Sequence, residues 1–273
     1  MNQINSKQDL INFFEKGCKK ESHLSIGVEH EKFIFENHSN KRINFKTVSK
    51  IFSFLEQFGW KPIKEKNNVI RLQRDDQSIT LEPGNQIELS GAKLDSIHLT
   101  CIESYKFLDE LKKACLNLNL KMMSVSFDPF SKLEEVPKTP KQRYEIMTKE
   151  MPKNGELSLY MMYQTCGTQI NLDYISEKDF INKFKLSSFL VPISTAIFAN
   201  SPIKENKFSG YLSYRSKVWQ NTSRAGLPKI FLEEIDFEKY VDIAINMPLL
   251  FVLKSSEEHT SELQSRAYPV CCL

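Results

Sequence analysis

Two short segments joined by three turn residues constrain the fold of this chain more than any other feature. Val69–Arg74 and Ser78–Glu82 both read as strands, with Asp75-Asp76-Gln77 as the turn between them. So short a connection joins antiparallel neighbours, because a parallel pair needs a crossover of a dozen residues or more. Pro83-Gly84 bends the chain again before another short strand, Gln86–Ser90. Further strands are predicted over Ser25–Glu36, Met122–Phe127 and Gln164–Tyr174, with a proline-bearing loop over Pro129–Pro140. Helices are predicted behind a Ser6/Asp9 capping box, from Lys93 to about Leu118, from Ser176 toward Ala199, and over Phe237–Met247. Pro192 is expected to break or kink the third of these. Helices and strands do not alternate regularly, so the expected class is α+β and not a doubly wound sheet.

A chain of 273 residues is one large domain or two small ones and buries a full core without disulfides or a structural metal. Its 37 Lys and Arg are offset by 34 Asp and Glu, mostly interleaved, for a net charge of +3. That argues against a dedicated nucleic-acid binder, which concentrates its basic residues. Lys61–Lys66 is expected to be solvated surface. The longest apolar candidate for a membrane span, Ile243–Leu253, is short and interrupted by Asn246 and Pro248. Met1–Lys20 lacks the apolar run of a secretory signal, so a cytoplasmic location is expected. The six cysteines fit no zinc spacing and are expected to be free thiols. Leu94, Ile97, Cys101, Tyr105, Leu108 and Cys115 recur at helical spacing, which predicts that Cys101 and Cys115 are buried.

Four segments bear chemistry. In Ile26–Phe33, strand alternation puts Glu29 and Glu31 side by side on one face. Adjacent carboxylates repel unless a cation lies between them, and oxygen clusters suit Mg²⁺ where phosphate supplies the other ligands. The same pattern is ordinary on the solvated face of an edge strand. In Leu81–Gly91, Gln86, Glu88 and Ser90 share a face, and Glu82 lies just before the turn as a further carboxylate. In Thr165–Asp173, the odd positions are polar or glycine; Gln169 and Asn171 suit a cleft that takes a polar substrate, or simply a half-exposed strand. In Tyr211–Gly226, Arg215 and Arg224 are suited to a carboxylate or phosphate, or are surface charges.

Together these segments resemble the plant and proteobacterial type of glutamate–cysteine ligase (γ-glutamylcysteine synthetase). The resemblance rests on Gly27-Val28-Glu29-His30-Glu31-Lys32-Phe33 and on Leu81–Gly91, where Asn85 replaces the usual glycine. It continues through His98 and Cys101, Tyr144-Glu145-Ile146-Met147, Asn200-Ser201-Pro202 and Arg215–Trp219. It implies a glutamine synthetase-like catalytic fold, a curved antiparallel sheet with helices on its outer side. It also implies an ATP-dependent reaction joining the glutamate γ-carboxylate to the cysteine amine through an acyl phosphate, the first step of glutathione biosynthesis. The implied partners are glutamate, cysteine and ATP, with Mg²⁺ as cofactor. The implied metal ligands are Glu29, Glu31 and Glu88, with Glu82 as a further candidate. Arg215 would hold a substrate carboxylate or the transferred phosphoryl group. Gln169, Asn171 and Trp219 would line the substrate site, and Lys32 and Arg224 would contact nucleotide or phosphate. The alternatives are a related carboxylate–amine ligase with another acceptor, or an inactive fragment of the enzyme.

The resemblance runs from about Ser25 to about Val252, whereas the family extends further. Residues 1–253 are therefore expected to be a partial catalytic domain. Residues 254–273 are expected to be an unrelated tail, because Ser255–Ser265 looks like a translated sequencing adapter. Family members can join a cysteine like Cys101 to a C-terminal one; Cys271 and Cys272, in that tail, are not expected to substitute for it.

Overall fold

The computed structural model describes residues 4–65, 67–222, 234–247, 252–253 and 263–264. Its first helix, α1 (Lys7–Gly17), begins at the expected capping box, with the Ser6 side chain accepting from the Asp9 N–H. Strand β1 (Ile26–Glu36) follows, and α2 (Phe45–Leu55) is capped by Asn44. Strands β2 (Lys61–Glu65), β3 (Asn68–Arg74), β4 (Gln77–Leu81) and β5 (Ile87–Ser90) run as an antiparallel meander. After α3 (Ile97–Asn117) and β6 (Leu120–Met123) come α4 (Gln142–Glu150), α5 (Ser158–Gln164), β7 (Thr168–Leu172) and α6 (Glu177–Ile197). The two-residue strands β8 (Ile203–Lys204) and β9 (Lys207–Phe208) precede α7 (Tyr214–Trp219) and α8 (Phe237–Asn246). A last pair, β10 (Val252–Leu253) and β11 (Leu263–Gln264), lies apart from the main sheet.

The seven-stranded sheet is open, and every pairing in it is antiparallel, with order β2-β3-β4-β5-β1-β6 and β7 also on β1. Strand β1 is long enough to hold β7 along Ile26–His30 and β6 along Phe33–Glu36, while β5 pairs with Glu29–Lys32. The result is the expected α+β class, helices with an antiparallel sheet.

Alternation along the strands divides the sheet into two unlike faces. Ile34, Leu72, Ile79, Leu81, Ile87 and Leu89 point to one side, where Val48, Ile51, Phe52 and Leu55 of α2 and Phe107, Leu111, Ala114 and Cys115 of α3 complete the main core. The opposite side carries Glu29 and Glu31 on β1, Glu88 and Ser90 on β5, and Thr80 on β4, in direct cross-strand register. One face therefore carries the main core, and the other is polar where β4, β5 and the first part of β1 meet, while Phe33 and Phe35 further along β1 bury a smaller cluster with Cys166.

Several elements depart from expectation. Lys61–Lys64 is exposed as expected, and Lys61–Glu65 is in addition a paired edge strand. The predicted strand Met122–Phe127 is shorter and lies earlier, at Leu120–Met123. Only Thr168–Leu172 of the predicted Gln164–Tyr174 strand forms, because α5 occupies the chain through Gln164. Helix α6 continues through Pro192 and does not break there. On α3 the apolar stripe was misplaced. Cys115 is buried, but Ile97, Cys101 and Tyr105 are exposed. Glu103 and Glu110 take the buried positions because they have partners there: Glu103 Oε1 accepts from Gln77 Nε2 (2.7 Å) and Glu110 accepts from Trp60 Nε1 (2.8 Å) and Arg74 Nη1 (2.8 Å). The four described cysteines, Cys18, Cys101, Cys115 and Cys166, are free thiols, whereas Cys271 and Cys272 lie outside the described residues. No described helix is long and apolar enough to cross a membrane.

Candidate active site

The polar face of the sheet gathers four carboxylates from three segments. Glu31 on β1 lies directly across from Glu88 on β5, which lies across from Thr80 on β4. Glu29 is two residues along β1 on the same face, and Glu82 follows the end of β4. The four lie close enough to act on one another's charge. Partial burial, then the charges of Glu82 and Glu88, push the Glu31 carboxyl up to about 8. Burial and the nearby Glu82 push Glu88 up to about 7. Burial also raises Glu82, against the pull of Arg143 and Lys141.

Local bonds fix three of the carboxylates. Glu31 Oε2 accepts from the Gly167 N–H at 2.6 Å. A side chain at position 167 would stand 3.1 Å from an Arg215 Nη and 3.7 Å from Glu31 Oε2, so glycine permits this close approach. Glu88 Oε1 accepts from Thr80 Oγ1 and Ser90 Oγ, both at 3.0 Å. Glu29 Oε1 accepts from Asn171 Nδ2 (3.1 Å), and Asn171 Oδ1 accepts from Gln169 Nε2 (3.2 Å). Register explains that chain, since Gln169 pairs with Glu29 and Asn171 with Gly27.

Arg215 reaches the cluster from α7, capped by Ser213. Its backbone N–H donates to Ser201 Oγ (3.2 Å), and its guanidinium lies over the Trp219 ring at 5.3 Å and lowers Glu31 from its further-raised state. Thus Glu29, Glu31, Glu88, Glu82, Gln169, Asn171, Arg215 and Trp219 share one region. Lys32 is not brought to this face. Alternation turns it away, and its buried Nζ donates to the Glu31 carbonyl at 3.1 Å. Arg224 lies outside the described residues, as do residues 254–262 and 265–273 of the expected tail.

Sequence reasoning missed a basic group beside Glu82. Lys141 Nζ and Tyr144 Oη both donate to the Leu81 carbonyl, at 2.7 and 2.8 Å. Arg143 Nη2 donates to Tyr144 Oη at 2.7 Å. Burial, then Arg143, lowers the Lys141 ammonium to about 8. The only available signal was the basic spacing of Lys141 and Arg143 ahead of Tyr144, which a solvated helix start also shows.

Among the described residues no three acidic, histidine or cysteine side chains already form a cage for an ion. The donor set nevertheless fits a hard divalent cation. It is all carboxylate oxygen, on one face, and burial with mutual repulsion holds Glu31 up at about 8 and Glu88 at about 7. A cation would relieve both costs.

The Glutamate-cysteine ligase family 2 model matches residues 25–270. The chain is 45% identical over 256 residues to glutamate–cysteine ligase A, chloroplastic, of Oryza sativa subsp. japonica. It is 42% identical to the chloroplastic enzyme of Medicago truncatula and 40% to that of Arabidopsis thaliana. Each alignment covers 92% of this chain but 52%, 50% and 49% of those relatives, so the chain spans about half their length. The relatives' names place them in the chloroplast, which overturns the expected cytoplasmic location: a missing secretory signal does not separate cytoplasm from plastid. With the motifs on one sheet face and the match over nearly the whole chain, this protein belongs to Glutamate-cysteine ligase family 2.

Proposed function

We propose that this chain carries the metal- and amino-acid-facing part of a glutamate–cysteine ligase site, built on a curved, glutamine synthetase-like sheet. The complete enzyme would join the glutamate γ-carboxylate to the cysteine amine with ATP. The observation that carries this reading is the carboxylate cluster, with Glu31 opposite Glu88 and Glu29 and Glu82 within charge range.

A carboxylate is a poor electrophile, so it must first acquire a leaving group. A γ-carboxylate oxygen attacks the γ-phosphorus of ATP and ADP departs, giving an acyl phosphate. The free amine of cysteine attacks the acyl carbon, inorganic phosphate leaves, and the nitrogen loses a proton. Positioning and charge neutralisation supply most of the acceleration. Glu29, Glu31 and Glu88 would hold Mg²⁺, with Glu82 as a fourth candidate; the ion neutralises phosphate charge when bound. Arg215, stacked on Trp219, would hold a substrate carboxylate or the transferred phosphoryl oxygens. Gln169 and Asn171 would line the amino-acid side, where Asn171 already orients Glu29. Arg224 stays a nucleotide contact on the family resemblance alone.

A coupled ADP-release assay with glutamate, cysteine, ATP and Mg²⁺ tests this, run on the chain alone and on the chain extended by the C-terminal portion of the rice relative. Glutamate- and cysteine-dependent release is expected in at least the extended form, falling tenfold or more in Glu29→Gln. Equal turnover in the variant would sink the metal-ligand assignment. Turnover only in the extended form identifies the shorter chain as an inactive fragment.

A further inference from the structure

Gln86 is a buried polar side chain that the proposed chemistry does not use. It sits on β5's leading edge, two residues before Glu88 and four after Glu82. Its Oε1 accepts from the Gly84 N–H at 2.8 Å, and its Nε2 donates to the Thr165 carbonyl at 3.0 Å. Only this orientation of the amide satisfies both partners, because a carbonyl cannot donate and an N–H cannot accept. Thr165 leads through Cys166 to Gly167, whose N–H holds Glu31.

The turn on the other side of Gln86 has little freedom. Glu82 N–H donates to the Gln86 carbonyl and Asn85 N–H to the Glu82 carbonyl, both at 3.0 Å. Thr139 N–H donates to the Pro83 carbonyl at 2.8 Å. Arg42 donates to the Gly84 carbonyl and pairs with Asp128 at 3.1 Å, where the two side chains are 1% and 0% exposed. A Cβ on Gly84 would come within 2.6 Å of the Tyr163 carbonyl and 2.9 Å of Gln86 Oε1, so nothing else fits there. Two separately built segments, the turn bearing Glu82 and the approach to Gly167, thus meet in one amide.

We propose that Gln86 is a positioning residue: its amide ties the Pro83-Gly84 turn to Thr165 and so sets the separation between Glu82 and the Gly167-held Glu31. This rests on the reading of the carboxylates as a divalent-cation site. Both bonds are to backbone atoms, so Gln86 fixes where the chain runs and not merely where one side chain points. Residues that orient metal ligands without touching the metal typically change affinity by about 10- to 100-fold when lost.

The test is a Mn²⁺ titration followed by electron paramagnetic resonance, which reads binding without turnover. Wild type is compared with Gln86→Met, Gln86→Glu and Trp60→Phe. Gln86→Met removes both bonds at similar volume. Gln86→Glu keeps the acceptor for Gly84 but turns a carboxylate on the Thr165 carbonyl, and it also adds a negative charge. If position 86 only contributed charge or lining, Gln86→Glu would tighten Mn²⁺. The positioning role predicts weakening by about tenfold or more in both Gln86 variants. Trp60→Phe loses a buried side-chain bond away from the carboxylates, to Glu110 on the helix side of the sheet, and should bind as wild type does. Should Gln86→Met fail to fold, Gln86→Glu decides alone. Binding in the Gln86 variants within twofold of wild type, tightening in Gln86→Glu, or equal weakening in Trp60→Phe overturns the inference and leaves the cation site standing. Absence of binding in wild type overturns the cation site and the inference together.

Discussion

Asn85 has a φ of 59°, in the left-handed region, and is fully buried. Asparagine tolerates that conformation better than other side chains except glycine. Here it also bonds widely: Nδ2 donates to the Ile43 and Pro137 carbonyls at 3.2 and 3.4 Å, and Oδ1 accepts from Thr139 Oγ1 at 2.9 Å. The sequence marked Asn85 as a departure from the glycine usual in the family it resembles, but nothing in it located these partners. Asn85→Gly is expected to keep the turn and lose about 1–3 kcal/mol, the cost of leaving buried polar groups unpaired. Asn85→Ala should lose about 1–2 kcal/mol more through backbone strain. Urea unfolding measures both, and a glycine variant as stable as wild type would show that these side-chain bonds add nothing.

Among the elements, those that begin with a local signal were legible. The Ser6/Asp9 box starts α1, and Ser176 with Asp179 starts α6, because a cap needs only neighbouring residues. Elements whose face depends on distant partners were not. Helix α3 turns Glu103 and Glu110 inward because Gln77, Arg74 and Trp60 wait there, and so leaves an apolar stripe outside. Helix α6 carries Pro192 in its interior at an exposed position. Pro192→Ala restores one backbone donor and removes a steric conflict, so a gain of about 1–3 kcal/mol is expected. Thermal melts followed by circular dichroism check this; an unchanged or lower midpoint would mean the proline conformation is favoured by packing.

The whole molecule holds its carboxylates together at a cost that depends on pH. Glu31 and Glu88 are raised to about 8 and about 7 from an ordinary value near 4.5. Between those limits the folded chain binds more protons than the unfolded one, so stability falls as pH rises. The loss is at most about 1.4 kcal/mol per pH unit for each carboxyl, reduced by solvent screening at these partly exposed positions. Two other groups act outside the interval from pH 6.5 to 8: His30 is lowered and opposes the trend below its ordinary 6.5, and Lys141, lowered to about 8, acts above 8. The metal-free chain should therefore melt several degrees lower at pH 8 than at pH 6.5, and Glu31→Gln should flatten the dependence. A midpoint that rises over this interval in scanning calorimetry would contradict the electrostatics of the cluster.

The sequence by itself determined the antiparallel character of the sheet, the side-by-side placement of Glu29 and Glu31, and the face shared by Glu88 and Ser90. These follow from strand period and turn length, which are local. Only the tertiary structure decided that Glu31 opposes Glu88 and that Glu82 joins them, whereas strand period already turns Lys32 to the other face. It alone brought Arg215 through the space left by Gly167, and aligned Gln86 between two backbone segments. Such relations join residues up to 184 positions apart, as Glu31 and Arg215 are, from 215 minus 31. Register, burial and desolvation act across that distance, and none of them leaves a periodic trace in the chain.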